Sequence, residues 1–181
     1  MQTDEDIMAA VRDGQLEKLA ELYRRYRRPV YGYLVNRGNA PATAEDLLQT
    51  TFERVIKYRT SYRLERSFKS WVFTIARNAM NDRRKVDGRM PLATNVDPLS
   101  LHQVSPSAEQ NWADRETEQQ SKAALAALPD TYREVVELAW KRQLKYAEIA
   151  TIIGTTEANV KVRMHRAVKQ LRLNYAKLEK Q

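Results

Sequence analysis

Cysteine is absent from this 181-residue chain, which excludes a disulfide framework and any thiolate metal site. Histidine occurs only at His102 and His165, too far apart in sequence to suggest an imidazole zinc site. Glycine is limited to five residues, and none belongs to a Gly-rich loop of the kind that cradles a phosphate. No Cys or Ser has a plausible His partner, so an enzyme is not expected, and neither is a metal or cofactor. Long apolar runs are missing as well: nothing approaches the roughly 18 residues of a membrane span. The start, Met1 to Asp6, is polar and acidic and lacks a signal-peptide core. The expectation is a cytoplasmic protein without membrane insertion.

Positive charge is in excess. Lys and Arg number 31 against 23 Asp and Glu, a net charge of +8, with a pI near 9.7. Such an excess suggests a polyanionic partner, most simply nucleic acid. The charge is unevenly placed. Residues 1–90 carry 18 basic and 12 acidic side chains, residues 91–121 carry 1 and 5, and residues 122–181 carry 12 and 6. Two basic lobes, each at +6, therefore flank a connector at −4. Pro91, Pro98 and Pro106 gather in that connector with Gly88, Ser100, Ser105 and Ser107, which reads as a flexible linker over 87–116.

Both lobes read as helix. Ile7, Ala10 and Val11 begin an amphipathic segment that ends near Gly14. Leu16, Leu19, Ala20, Tyr23 and Tyr26 continue the pattern, and Val30, Tyr31 and Leu34 carry it past Pro29, where a kink or break is expected. Leu48, Phe52, Val55 and Ile56 signal a third helix. Phe68, Val72, Ile75 and Ala79 form the core stripe of a fourth. Beyond the linker come Tyr132, Val135, Val136, Ala139 and Trp140, then Tyr146, Ile149, Ala150 and Ile153, then Val160, Met164, Ala167 and Leu171. No useful stretch alternates with period two. The fold class is all-α: a four-helix domain at 1–86 and a helix-turn-helix domain at 117–181, joined by the linker.

Residues 145–172 have the form short helix, tight turn, longer helix, with Gly154 in the turn and Thr155 or Thr156 as N-cap. At 100° per residue, Met164, Ala167 and Leu171 fall within about 40° of Val160. The opposite face carries Ala158, Asn159, Val162, His165, Arg166 and Lys169. That face suits a major groove, where Asn reads adenine, Arg reads guanine and Val meets a thymine methyl. On the fourth helix the side away from the core stripe holds Ser70, Phe73, Arg77, Asn81 and Arg84. An outward Phe73 between arginines is expected to stack on an unpaired base while the arginines hold phosphates; the alternative is that it packs beneath a neighbouring segment.

Several stretches resemble one family. The run from Phe68 to Arg84 (FKSWVFTIARNAMNDRR) looks like the DNA-melting helix of bacterial extracytoplasmic-function (ECF) sigma factors. Ala44 to Phe52 (AEDLLQTTF) resembles their core-polymerase-binding helix. Leu128 to Val136 (LPDTYREVV), Tyr146 to Ala150 (YAEIA) and Val160 to Arg163 (VKVR) are similar to their fourth region. The resemblance implies an alternative sigma factor whose first lobe, sigma region 2, captures the −10 element as a single strand through Tyr62, Arg66, Phe73, Arg77, Asn78, Arg83 and Arg84. The second lobe, region 4, would read the −35 duplex through Glu157, Asn159, Lys161, Val162, Arg163 and Arg166. Glu45, Asp46, Gln49 and Glu53 would meet the β′ coiled coil of core RNA polymerase, the second lobe would meet the β flap, and the linker would run near the RNA exit path.

One departure stands out. The family usually carries an acidic residue directly after the glutamine, where this chain has Thr50, and often another at the place of Thr43. Phosphorylation of Thr50 or Thr51 by a Ser/Thr kinase would restore that charge with roughly −1.5 to −2 at pH 7, as the resemblance to a kinase-linked subset implies. Control by an anti-sigma factor, with Glu45, Asp46 and Glu53 sufficing for docking, is the alternative. Two other readings compete: a helix-turn-helix regulator that binds duplex DNA without polymerase, and a structural adaptor whose basic lobes hold acidic proteins. The first leaves Phe73 and the Glu45–Asp46 segment unexplained; salt dependence separates the adaptor poorly, since both modes are electrostatic.

Overall fold

A computed structural model describes residues 2–88 and 120–178, and every regular element among them is helical. Helix α1 (Asp4–Arg12) opens on a capping box in which Thr3 Oγ1 accepts from the Asp6 amide at 3.1 Å and Asp6 accepts from the Thr3 amide at 3.1 Å. After a 3-10 turn at Leu16–Lys18, α2 (Leu19–Asn36) runs unbroken through Pro29. The expected break does not occur. The proline forfeits one helical hydrogen bond, while Leu22, Tyr26, Val30 and Tyr33 continue a single buried stripe on both sides of it.

Helix α3 (Pro41–Lys57) starts with proline in its first turn, where a missing N–H costs nothing. A loop with a 3-10 turn at Arg59–Ser61 leads to α4 (Phe68–Val86), whose N-cap Ser67 accepts from the Ser70 amide at 3.3 Å. Glu5 reaches across from α1 and accepts the Phe68 amide at 2.9 Å. Phe68 is fully buried, edge-on to Tyr26 with ring centroids 5.1 Å apart and flanked by Tyr62 and Trp71. The stripe Phe68, Val72, Ile75 and Ala79 faces the core as its spacing predicts.

The second lobe contains a helix that the apolar pattern does not announce, α5, over 120–126. Helix α6 (Asp130–Val136) passes into a π-helical turn at Glu137–Lys141. The wider turn shifts the register, and Trp140, expected on the apolar face, is left 55% exposed. Helix α7 (Tyr146–Ile153) ends on Gly154 at φ +69°, and α8 (Glu157–Leu178) follows with Thr156 Oγ1 accepting from the Asn159 amide at 3.2 Å. Buried Asn174 donates to the Ala124 carbonyl at 3.0 Å, tying the end of α8 to α5. A Cβ at Gly154 would meet nothing within 4 Å, so Gly154→Ala tests backbone strain alone. It is expected to cost about 1–2 kcal/mol in urea denaturation.

The two lobes are in direct contact, α7 lying against α4. Of the expected linker, Asp87 and Gly88 close the end of α4; 89–116 lies outside the described residues.

Candidate nucleic-acid interface

Helix α8 separates its faces as the wheel predicts. Val160, Met164, Ala167 and Leu171 are buried, while Ala158, Asn159, Val162, His165, Arg166 and Lys169 are exposed. Val162 stands 47% exposed among polar neighbours. At the start of the helix Asn159 Nδ2 donates to Thr155 Oγ1 at 3.1 Å, and Lys161 pairs with Glu157 at 2.8 Å. Arg163 is half-buried. The face holds an amide, an aliphatic side chain and a guanidinium one turn apart on a rigid element, which is chemistry for base edges in a duplex groove.

The outward face of α4 departs from expectation. Phe73 is fully buried, edge-on to Tyr33 with centroids 5.4 Å apart and with the Arg142 guanidinium 5.9 Å from its ring centre. It is covered by the second lobe and has no free face for a base. Ser70 is buried too, and Arg77 Nε pairs with Glu134 at 3.0 Å. Arg84 is half-buried and donates to the Arg37 carbonyl at 2.7 Å; burial, and then the Arg37 charge, push its pKa down. Arg83 pairs with Asp87 at 3.1 Å and, like Asn78, is exposed.

In the preceding loop Arg66 is exposed, but Tyr62 is buried against Trp71 with its hydroxyl donating to the Arg66 carbonyl at 2.6 Å. Burial, and then the charges of Glu5 and Asp4, hold that phenol well above its ordinary pKa. In the chain without DNA the Tyr62 ring anchors the loop rather than standing free on its surface.

Helix α3 exposes Glu45, Asp46, Gln49 and Glu53, with Gln49 Nε2 donating to Glu53 at 2.8 Å. Beside them an open groove between α2 and α3 is walled by Tyr23, Arg27, Arg28, Tyr31, Leu48, Phe52 and Ile56. Sequence periodicity assigns Tyr23 to the core, yet it is exposed on the groove; the i, i+4, i+8 spacing of Tyr23, Arg27 and Tyr31 was the available signal. The two threonines differ sharply. Thr50 is half-exposed, whereas Thr51 is fully buried and donates its hydroxyl to the Leu47 carbonyl at 2.6 Å. Thr51 as a kinase site is corrected, because no enzyme reaches that oxygen in the folded helix. Among the described residues no group of three or more His, Asp or Glu could hold a metal ion, and no helix is long and apolar enough to cross a membrane.

A four-helix lobe with an acidic, grooved face, joined to a helix-turn-helix lobe with an exposed reading face, defines a two-lobed transcription factor. Residues 22–90 match the family model for sigma-70 region 2, and residues 119–171 match that for sigma-70 region 4. The ECF RNA polymerase sigma factor SigM of Bacillus subtilis is 32% identical over 157 residues, spanning 86% of this chain and 93% of that one. RNA polymerase sigma factor CarQ of Myxococcus xanthus is 31% identical over 178 residues, with 95% and 97% covered. The chain belongs to the ECF family of RNA polymerase sigma factors. Its fold is shared with CnrH, solved in complex with the cytosolic domain of CnrY (TM-score 0.68, 20% identity, 95% of this chain and 96% of that one). It is also shared with RpoE of Bartonella quintana, solved with the anti-sigma factor NepR (TM-score 0.65, 22% identity, 87% and 96% covered).

Proposed function

We propose that this chain directs core RNA polymerase to a two-element promoter, with residues 1–86 as the region 2 lobe, 87–116 as connector and 117–181 as the region 4 lobe. The observation that carries the reading is the face of α8: exposed Asn159, Val162 and Arg166 backed by a buried stripe and set behind the left-handed Gly154 turn. Glu157, Lys161 and Arg163 flank that face and hold or approach the −35 duplex. Arg66, Arg77, Asn78, Arg83 and Arg84 track the −10 strand through its phosphates. Glu45, Asp46, Gln49 and Glu53 dock on the basic β′ coiled coil, and the second lobe on the β flap. A polymerase-free regulator would have no use for the acidic, grooved face of α3.

Control is exerted on that same face. The groove between α2 and α3, with Leu48, Phe52 and Ile56 among the charges of Arg27, Arg28, Glu45 and Glu53, fits an anti-sigma partner, and two fold neighbours were solved with proteins bound. Phosphorylation at Thr50 would place a dianion next to Asp46 and Glu53 and supply the charge that Thr50 lacks. Reconstitution with core polymerase on a template library tests both levels. Thr50→Glu is expected to raise transcription at least fivefold over the unmodified chain, whereas Thr51→Val leaves it unchanged. Thr51→Glu is expected to unfold the first lobe, since it buries an unpaired carboxylate. Equal transcription from Thr50→Ala, Thr50→Glu and parent removes the phosphorylation reading. No transcription from any of them removes the sigma reading.

A further inference from the structure

Two adjacent threonines at the entrance to α8 have different duties. The Thr156 hydroxyl oxygen accepts from the Asn159 backbone amide at 3.2 Å and caps the helix. The Thr155 hydroxyl oxygen accepts instead from the side chain of the same residue, Asn159 Nδ2, at 3.1 Å. Thr155 is itself held in place: its amide donates to the Ala150 carbonyl at 2.9 Å across the left-handed turn at Gly154. A series of bonds thus runs from α7 through the turn to the tip of an exposed side chain on the reading face.

Such a bond does little for stability. Asn159 is exposed, and a neutral bond at the surface replaces one to water with little net gain. Its consequence is orientation. A side-chain amide offers two N–H donors and one acceptor oxygen. Thr155 takes one donor and leaves the second, with Oδ1, for a partner outside the helix. In the major groove a donor beside an acceptor complements adenine, whose N7 accepts and whose N6 donates. Guanine presents only acceptors there, cytosine only a donor, and thymine an acceptor and a methyl group. At 100° and 1.5 Å per residue, Val162 and Arg166 fall within about 60° of Asn159 and about 4.5 and 10.5 Å further along the axis. The fixed amide therefore stands first in a row of three readers on one face.

We propose that Thr155 is a positioning residue for promoter recognition: it holds the Asn159 amide so that α8 selects adenine at one position of the −35 duplex. The assignment rests on the reading of α8 as the −35 reader given above. With the amide oriented before DNA arrives, less rotamer freedom is lost on binding, and the orientations that suit other bases are held back. Thr155 acts only through Asn159. Removing its hydroxyl blurs one base of the element and spares those read by Val162 and Arg166. The cap is untouched by that change, because Thr156 supplies it.

The test is selection from a duplex library randomised across the −35 element, by the full chain alone and by the full chain with core polymerase, followed by sequencing. The parent is expected to prefer adenine at one position by about tenfold or more, and Asn159→Ala to abolish that preference. Thr155→Val keeps the branched shape and removes the oxygen. It is expected to weaken the adenine preference by about threefold or more while preferences at the other positions stay as they are. Thr155→Ser restores the hydroxyl and is expected to retain the preference. Thr156→Ala, which loses the cap, gives the signature of a purely structural change: weaker binding to every sequence alike. No enrichment in either arm, or a parent with no adenine preference that Asn159→Ala removes, overturns the proposal. So does Thr155→Val behaving like the parent or like Thr156→Ala. Selection by the chain alone needs no polymerase, so failure of the sigma reading would show separately, as enriched duplexes that support no transcription.

Discussion

Phe68→Ala is expected to lower the unfolding free energy by about 3–5 kcal/mol, a large part of the 5–15 kcal/mol available to a typical domain. Phe68 is the hub of the first lobe: fully buried, at the first turn of α4, with Tyr26, Tyr62 and Trp71 around its ring. Truncation removes the aromatic contacts of three neighbours and leaves a cavity that α1, pinned by the Glu5 bond to the Phe68 amide, cannot easily close. Urea denaturation followed by circular dichroism measures the loss. Val162→Ala, at an exposed position, is the control and should stay within about 0.5 kcal/mol. A loss below 1 kcal/mol for Phe68→Ala would show that the cluster repacks.

The second large effect concerns docking. The double reversal Asp46→Lys with Glu53→Lys is expected to reduce polymerase-dependent transcription by about 100-fold. A single exposed ion pair contributes little, but reversal replaces attraction by like-charge contact, which costs several kcal/mol at an interface. A loss of about 3 kcal/mol corresponds to the stated factor at roughly 1.4 kcal/mol per tenfold. Both side chains are exposed, and the only bond lost is that from Gln49 to Glu53, so helicity should be unchanged. Duplex binding through α8 should be unchanged as well. A reversal that leaves transcription intact would move the docking surface away from α3.

The features legible in the sequence were those governed by neighbours within a few turns. The stripes Phe68–Val72–Ile75–Ala79 and Val160–Met164–Ala167–Leu171 needed only the helical period, and Gly154 needed only the geometry of a tight turn. What escaped was decided by atoms distant in the chain. Phe73 lies on the outward side of α4 by any wheel, yet Arg142, 69 positions later, covers it. Thr50 and Thr51 differ by 100° on one helix, and whether that angle crosses the edge of the core depends on how α3 rests on its neighbours. Pro29 and Trp140 failed for opposite reasons. Tertiary burial carried α2 across a residue that local rules oppose, and a π turn displaced a residue that local rules had placed.

The bond from Glu5 to the Phe68 amide also sets the size of the smallest self-sufficient unit. The stretch matched by the region 2 family begins at residue 22, but the fold it belongs to reaches back to Thr3. A fragment cut at residue 22 would lose Ile7, Met8 and Val11, all fully buried. It would also lose the carboxylate of Asp4, which binds Arg25 and Tyr26, and the acceptor that satisfies the first turn of α4. The family model and the physical integrity of this lobe thus have different borders, and anyone dissecting it should cut at the second.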